Sequence, residues 1–327
     1  MSNRLRVAVV GTGEWWGREH ARVFSLRPDV ELCAIVGRSS DKTTRRAAEF
    51  DTTPYVDLDE MLSAERPDLV SLCLPNEGHF DTTLHVIKAG YPLLVEKPLV
   101  FDLAEADELL REAEARGLFF AINFNHRYAR PVRMAHEAIT SGALGDLTFA
   151  TWRFGGEVGT STHPFANLIE TQCHGFDMLE HLCGPIHSVS AHMTDRAGNG
   201  YTTMAVALTF ASGAVCGLVG SYDSSYAYPE THYVEINGSA GRVQIVDTVK
   251  RFTRSVPGEE VREVWEAGYF NDRDRDFDHM FEVHLDELLT ALRGSEEPPI
   301  HARAGRRALQ LAEACIQSFN ESRLVEV

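Results

Sequence analysis

The feature that most constrains this chain is the rhythm of its first third, where short apolar runs alternate with segments of helical period. Residues 6–10 form a run that is apolar after Arg6, 16–26 have a helical pattern, and 31–36 form another run that is apolar after Glu31. The rhythm continues with strand-like runs near 54–56, 69–74, 93–95 and 119–124, and with helical stretches at 58–64, 79–89 and 103–116. Apolar runs this short carry no alternation that would leave one face wet, so they read as strands buried on both sides. Strands separated by helices of this length predict an α/β unit, a doubly wound parallel sheet covered on both faces.

Beyond residue 130 the texture changes. Helical patterns at 132–140 and 168–183 bracket a strand-like run at 147–154 and a polar, glycine-rich segment at 155–167. β-rich runs follow at 186–193, 202–210, 215–222, 232–237 and 243–246, and helices at 277–293 and 304–318 close the chain. Short glycine-containing turns, Ala211-Ser212-Gly213 and Gly238-Ser239-Ala240-Gly241, join neighbouring runs as antiparallel pairs require. The chain therefore divides into an α/β domain, 1–124, and an α+β domain on a mostly antiparallel open sheet, 125–327. A length of 327 residues with 44% hydrophobic and 24% charged side chains is enough for two such cores.

Charge and cysteine usage narrow the partners. A formal net charge of −17, with no strong basic run, disfavours nucleic acid and anionic lipid surfaces. Six scattered cysteines without a C-x-x-C pair fit a reducing compartment. The first strand begins almost at the N-terminus with no apolar leader, and no run reaches membrane-spanning length, so a cytoplasmic protein is expected.

Four turns carry the chemistry of the first domain. Gly11-Thr12-Gly13-Glu14-Trp15-Trp16-Gly17 follows the first strand; such a turn brings backbone close to a pyrophosphate at a helix N-terminus. Its spacing, G-x-G-x-x-x-G, is one residue longer than the standard dinucleotide fingerprint, and glycines in a strand-to-helix turn also serve the turn alone. The second strand ends in Gly37-Arg38-Ser39-Ser40, where a guanidinium and hydroxyls replace the carboxylate that selects a free ribose 2′-hydroxyl, so NADP(H) is expected over NAD(H). The alternative is that Arg38 merely stacks on adenine or faces water, and Asp41 is close by. Leu74-Pro75-Asn76-Glu77-Gly78-His79 follows the fourth strand, with Asn76 and His79 as ribose or pyrophosphate contacts or Asn76 as a helix cap. The fifth strand runs into Glu96-Lys97-Pro98, and a lysine at the carboxyl end of a parallel strand projects into the ligand crevice of open α/β sheets.

In order along the chain, the glycine turn, Pro75-Asn76-x-x-His79, Glu96-Lys97-Pro98-Leu99, Asn125-His126-Arg127-Tyr128-x-x-Pro131, Glu170-x-x-x-His174-x-x-Asp177 and Pro298-Pro299 form a series. This series resembles the glucose-fructose oxidoreductase, inositol dehydrogenase and rhizopine-catabolism family (Gfo/Idh/MocA) over nearly the whole chain. The resemblance implies that Lys97 is the catalytic lysine and that Glu170 and His174 are the helical acid and histidine, with Asp177 supporting them or binding substrate. It also implies a cofactor set that adds Glu96, Lys97, Asn125 and Arg127 to Gly11, Thr12, Gly13, Glu14, Trp15, Trp16, Gly37, Arg38, Ser39, Leu74, Pro75, Asn76 and His79. Many relatives carry Asp where this chain has Glu170. At i, i+4 on one helix, Glu170 and His174 would point into one cleft, where a histidine suits proton exchange and Lys97 can donate to a developing alkoxide. A metal held by Glu170, His174 and Asp177 is not expected, because no other segment offers a further ligand.

Trp152, Arg153, Glu157, His163, Asn167, Tyr222 and Tyr226 are the candidate substrate-lining residues, a polar and aromatic set suited to a polyhydroxylated ligand. The sequence thus predicts an NADP(H)-preferring oxidoreductase that interconverts a secondary alcohol and a ketone on a sugar, cyclitol or related small molecule. Two rivals stand beside it: an enzyme using a retained nucleotide for transient oxidation, with net glycoside cleavage, elimination or epimerisation, and a non-catalytic nucleotide-binding regulator. The bare second face of the antiparallel sheet, together with the resemblance, predicts a homodimer or homotetramer.

Overall fold

The computed structural model describes residues 4–75, 78–157, 161–266, 268 and 277–327. They cluster into two compact units, 1–123 with 286–306, and 124–285 with 307–327.

The first unit is built from β1 (Leu5–Val10), α1 (Trp16–Ser25), β2 (Val30–Val36), α2 (Ser40–Glu49), β3 (Thr53–Tyr55), α3 (Leu58–Glu65), β4 (Leu69–Leu72), α4 (His79–Lys88), β5 (Leu93–Val95), α5 (Leu103–Ala115) and β6 (Phe120–Ile122). The six strands pair in parallel in the order β3-β2-β1-β4-β5-β6, as the alternating rhythm predicts. Val7, Ala8, Val9, Leu69, Val70, Leu93, Leu94 and Val95 have no exposed surface, which is the burial expected of a sheet covered on both faces. Helix α2 has no counterpart in the sequence reading, because its buried stripe is only Thr43, Arg46 and Ala47. Its local signal is instead the cap, Ser39 Oγ accepting from the Lys42 N–H.

The second unit opens with a 3-10 turn, Asn125–Tyr128, then α6 (Arg130–Thr140), β7 (Leu147–Glu157), a π turn at Asn167–Thr171 and α7 (Cys173–Cys183). Strands β8 (Ile186–Thr194), β9 (Thr203–Phe210), β10 (Val215–Ser221), β11 (Asp223–Ser224), β12 (His232–Gly238), β13 (Arg242–Val246), β14 (Arg251–Ser255) and β15 (Glu263–Glu266) follow. Helices α8 (His279–Gly294) and α9 (Arg303–Glu321) and the short β16 (Val325–Glu326) complete the chain. The sheet runs β15-β14-β13-β12-β7-β10-β9-β8-β16, antiparallel except where β7 lies beside β10. Ala150, Trp152, Leu218, Val234, Ile236, Val243 and Ile245 are buried on one face. The other face leaves Phe149, Val215 and Val219 more than 40% exposed.

The division differs from the sequence boundary in one respect: residues 286–306 belong to the first unit. The Ala302 N–H donates to the Phe120 carbonyl at 2.9 Å and the Ile122 N–H to the Ile300 carbonyl at 3.1 Å, so this segment pairs with and covers the edge strand β6. A Cβ on Gly305 would fall 2.4 Å from Ile122 Cδ1, so glycine permits the close approach. Among the described residues no helix is long and apolar enough to cross a membrane, and all six cysteines are free and buried.

Candidate functional site

In the first unit the strand order reverses between β1 and β4, and the carboxyl ends of these strands frame the crevice of the sheet. The glycine turn lies there. Gly11 has φ +138°, and a Cβ on it would lie 2.3 Å from the Cys73 carbonyl oxygen; a Cβ on Gly17 would lie 2.8 Å from the Gly11 carbonyl oxygen. These two glycines therefore serve the close packing of β1, α1 and the β4 loop. Gly13 has only one neighbour within reach, at 3.9 Å, so the tip of the turn is open to a ligand.

The helix caps point the same way. Helices α2, α3 and α5 are capped by Ser39, Asp57 and Asp102 side chains, whereas among the described residues α1 and α4 have no side-chain cap. Those two helices follow β1 and β4, the strands at the reversal. Uncapped N–H groups and the positive end of the helix dipole suit a diphosphate, so the residues from Gly11 to Gly17 fit a dinucleotide. Asn76 and Glu77 lie outside the described residues; the cap position of α4 is Gly78, at φ 78°. Leu74 is half-buried and Pro75 exposed. His79 is buried, and burial lowers it to about 4 against the pull of Glu96, so it is neutral at physiological pH.

Around the second strand, a Cβ on Gly37 would lie 2.5 Å from Thr12 Cγ2 and 2.6 Å from Thr43 Oγ1, so glycine lets the phosphate turn pack on the end of β2. Arg38 is exposed, with Lys42 and Arg45 exposed in the following helix. Glu14 pairs with Arg46 at 2.8 Å and Arg45 at 3.4 Å, and the Arg46 hydrogen bond holds its carboxyl below the ordinary range. Trp15 is exposed, and Trp16 meets His20 edge-on at 6.1 Å.

Lys97 is half-buried just past the end of β5, and its bond to Pro98 is cis. The preceding Glu96 corrects one expectation. Its carboxylate turns inward, accepting from His20 Nε2 at 2.9 Å, Asn123 Nδ2 at 2.6 Å and the Lys97 N–H at 3.3 Å, so it supports the turn from below and does not face a ligand.

In the second unit the π turn changes the sequence picture of one helix over 168–183. The Gln172 N–H bonds the Asn167 carbonyl at 2.9 Å, five residues back, so Glu170 stands in a π turn and His174 in the first turn of α7. His174 is buried in α7; its ring stacks on His126 with centroids 3.9 Å apart and planes within 8°, and Phe124 meets it edge-on at 5.8 Å. His126 stands inside the Asn125–Arg127 motif, yet nothing in the sequence marks it as the partner of a residue 48 positions later. Asn125 is buried beside it.

Arg127 and Asp177 are held by each other. Arg127 Nε and Nη2 donate to the two Asp177 oxygens at 2.8 and 2.5 Å, and burial pushes the Asp177 carboxyl upward against the pull of the guanidinium. Arg127, expected at the cofactor, and Asp177, expected to bind substrate or support the cluster, instead form an ion pair between a half-buried guanidinium and a buried carboxylate.

Of the substrate candidates, Tyr222 and His163 are brought within electrostatic reach of the half-buried Glu170. Tyr222 Oη lies 2.6 Å from Thr171 Oγ1, and burial pushes its phenol up. Nδ1 of the half-buried His163 accepts from the Phe165 N–H at 3.2 Å. Asn167 is buried, donating to the Thr202 carbonyl at 2.6 Å. Glu157 accepts from Ser225 at 2.9 Å, and the exposed Tyr226 covers Gly156. Two candidates are corrected. Trp152 has no exposed surface, packs against Gly175 and donates to Gln172 at 3.0 Å, so it is core. Arg153, one residue on, points to the opposite face of the sheet, where it reaches the Glu230 carbonyl and lines a groove of about 620 Å³ with Tyr233 and Gln244. Among the described residues no group of three or more His, Cys, Asp or Glu side chains could hold a metal.

Two family descriptions match this chain: GFO_IDH_MocA, "Oxidoreductase family, NAD-binding Rossmann fold", over residues 5–124, and its C-terminal alpha/beta domain over residues 136–327. The chain belongs to the Gfo/Idh/MocA oxidoreductase family. It is similar to D-glucoside 3-dehydrogenase of Escherichia coli (strain K12), 30% identical over 209 residues, a match that spans 60% of each chain. It is also similar to myo-inositol 2-dehydrogenase of Thermotoga maritima, 26% identical over 347 residues, 99% of this chain and 98% of that one. In fold it resembles levoglucosan dehydrogenase in complex with NADH, with a TM-score of 0.88 at 15% identity over 99% of both chains. This Gfo/Idh/MocA member therefore has the dinucleotide-binding sheet and the family's C-terminal domain that the motif series implies.

Proposed function

We propose that this protein is an NADP(H)-preferring dehydrogenase or reductase that interconverts a secondary alcohol and a ketone on a sugar or cyclitol. The observation that carries the reading is Lys97, a half-buried cation at the carboxyl end of β5, next to the strand reversal with its open glycine turn and two helices that have no side-chain cap among the described residues. Full-length similarity to a protein named for myo-inositol oxidation supports the substrate class.

Residues Gly11 to Gly17 would hold the diphosphate through backbone N–H groups, and Arg38, with no hydrogen bond or ion pair among the described residues, would meet the 2′-phosphate. Bound nicotinamide supplies the hydride chemistry. Lys97 donates a proton or hydrogen bond to the substrate oxygen, stabilising negative charge there. His174 exchanges a proton with a substrate hydroxyl, and its ring is held in place by the His126 stack. Glu170, with His163 and Tyr222 in its field, offers polar groups for a polyhydroxylated ligand. The exposed Phe149, Val215 and Val219 on the bare sheet face support a homo-oligomer, which light scattering at working concentration tests.

The deciding experiment is a fluorescence titration of nucleotide-stripped protein with NADPH and NADH, followed by a screen of sugars and cyclitols with NADP⁺ against Lys97→Ala. Tighter NADPH binding and a loss of about 10²-fold or more in kcat for Lys97→Ala are expected. Tighter NADH binding would refute the role of Arg38, and full activity in Lys97→Ala would refute that of Lys97.

A further inference from the structure

The tip of the glycine turn carries a side-chain carboxylate, Glu14, that the proposed chemistry does not use. A dinucleotide's diphosphate is an anion, so a free carboxylate on the turn that holds it would repel it. In the structure that carboxylate is not free. Arg46, on α2, donates from Nη2 to Glu14 Oε2 at 2.8 Å and to the Gly13 carbonyl at 3.5 Å, while its Nη1 donates to Glu49 at 2.7 Å. Arg18, on α1, donates from Nε to the same Glu49 at 2.6 Å, and its backbone N–H donates to the Gly13 carbonyl at 3.0 Å. Opposite charges thus alternate through Arg18, Glu49, Arg46 and Glu14, from the first turn of α1 across α2 and back to the glycine turn.

Burial decides how firmly Glu14 is held. Arg46 is buried, its guanidinium cannot shed its charge, and a buried cation needs its carboxylates close. The Glu14 bond therefore offsets part of the desolvation of Arg46. The contact between Arg45 and Glu14, at 3.4 Å, joins two exposed side chains and would by itself hold little. The Arg46 bond keeps the Glu14 carboxyl below its ordinary range, and the Arg18 bond does the same for Glu49, so both are ionised at physiological pH. Because Glu14 is exposed, the arginines rather than close packing set where its charge lies.

We propose that Arg46 is a positioning residue of the dinucleotide site that acts through Glu14: it draws this carboxylate back onto α2, so that the open tip of the glycine turn turns no like charge toward the diphosphate. The proposal rests on the reading that residues Gly11 to Gly17 hold the diphosphate. It does not depend on the roles of Arg38 or Lys97.

Fluorescence titration of the nucleotide-stripped, full-length protein with NADPH and NADH tests it in the wild type, Glu14→Gln, Arg46→Met and the double variant. Arg46→Met should bind both nucleotides about 5- to 10-fold more weakly at low ionic strength, because the diphosphate is common to both, and this ratio to wild type should shrink in ~0.5 M salt. Glu14→Gln should bind both no more weakly than wild type, since it removes a negative charge, and the double variant should recover most of what Arg46→Met loses. A merely structural role for Arg46 would leave the double variant as weak as Arg46→Met. The proposal is overturned by an Arg46→Met that binds like wild type, by a loss that Glu14→Gln does not reverse, or by a loss confined to NADPH. Weaker binding in Glu14→Gln alone would make that carboxylate a ligand contact and overturn it too. Should Arg46→Met not fold, Arg46→Gln, whose amide can still donate but carries no charge, takes its place with the same outcomes at smaller size. Tighter binding of NADH than of NADPH would refute the role of Arg38 and leave this proposal standing. A wild type that binds neither nucleotide would end both readings, whereas unchanged binding in Arg46→Met would end this one alone.

Discussion

Arg127 is the residue whose surroundings differ most from what its motif implies. Within Asn125-His126-Arg127-Tyr128 it looks like a ligand contact, but its guanidinium is closed on the carboxylate of Asp177, fifty positions away. No local signal could reveal this, since an ion pair between distant segments exists only once both are folded. The energetics are asymmetric: an intact buried pair contributes little net stability, whereas removing one partner leaves a desolvated charge. Arg127→Leu should therefore destabilise the protein by about 3–5 kcal/mol in urea unfolding, and adding Asp177→Asn should recover part of that loss. Unchanged stability with weakened dinucleotide binding would return Arg127 to the cofactor.

At the scale of elements, the strands and helices of the first unit were legible because apolar periodicity and burial agree there. Of the unread elements, α2, β14 and β15 are polar: buried side chains on them are few, and their pairing with neighbours supplies what their own patterns lack. The helical period over 168–183 was legible, but the π turn was not, because one inserted residue leaves no mark on a short apolar pattern. What sets α7 against the sheet is contact at two glycines. A Cβ on Gly175 would lie 2.8 Å from the Trp152 ring, and a Cβ on Gly220 would lie 2.6 Å from the Gln172 side chain. Gly175→Ala, although helix-favouring by propensity, should cost about 1–3 kcal/mol through overpacking, measured as a lower urea midpoint at constant slope. A stabilised variant would mean that α7 can lift off the indole at no cost.

For the whole molecule, buried neutral histidines set the acid side of stability. Burial lowers His79 to about 4 in the first unit and His232 to about 3 in the second. Unfolded, each returns to roughly 6.5, so below that pH the unfolded chain binds more protons than the folded one. The sign follows: this contribution is complete above about pH 6.5 and is lost as pH falls toward the folded values, at about 1.4 kcal/mol per pH unit and histidine. Urea unfolding followed from pH 7.5 to 5 should show this decline, and His232→Phe should flatten it. An unchanged slope in His232→Phe would mean that His232 is charged or solvated when folded.

The sequence by itself determined the α/β class, the order of strands and helices, the glycine turn and the lysine at the end of β5, because period, turn chemistry and strand position are local properties. It could not determine that 286–306 covers the edge of the first sheet, that Glu96 faces His20, that His126 lies under His174, or that Trp152 and Arg153 part to opposite faces with only the latter exposed. Those are contacts between segments tens to hundreds of residues apart, and only the packed structure brings the partners within reach.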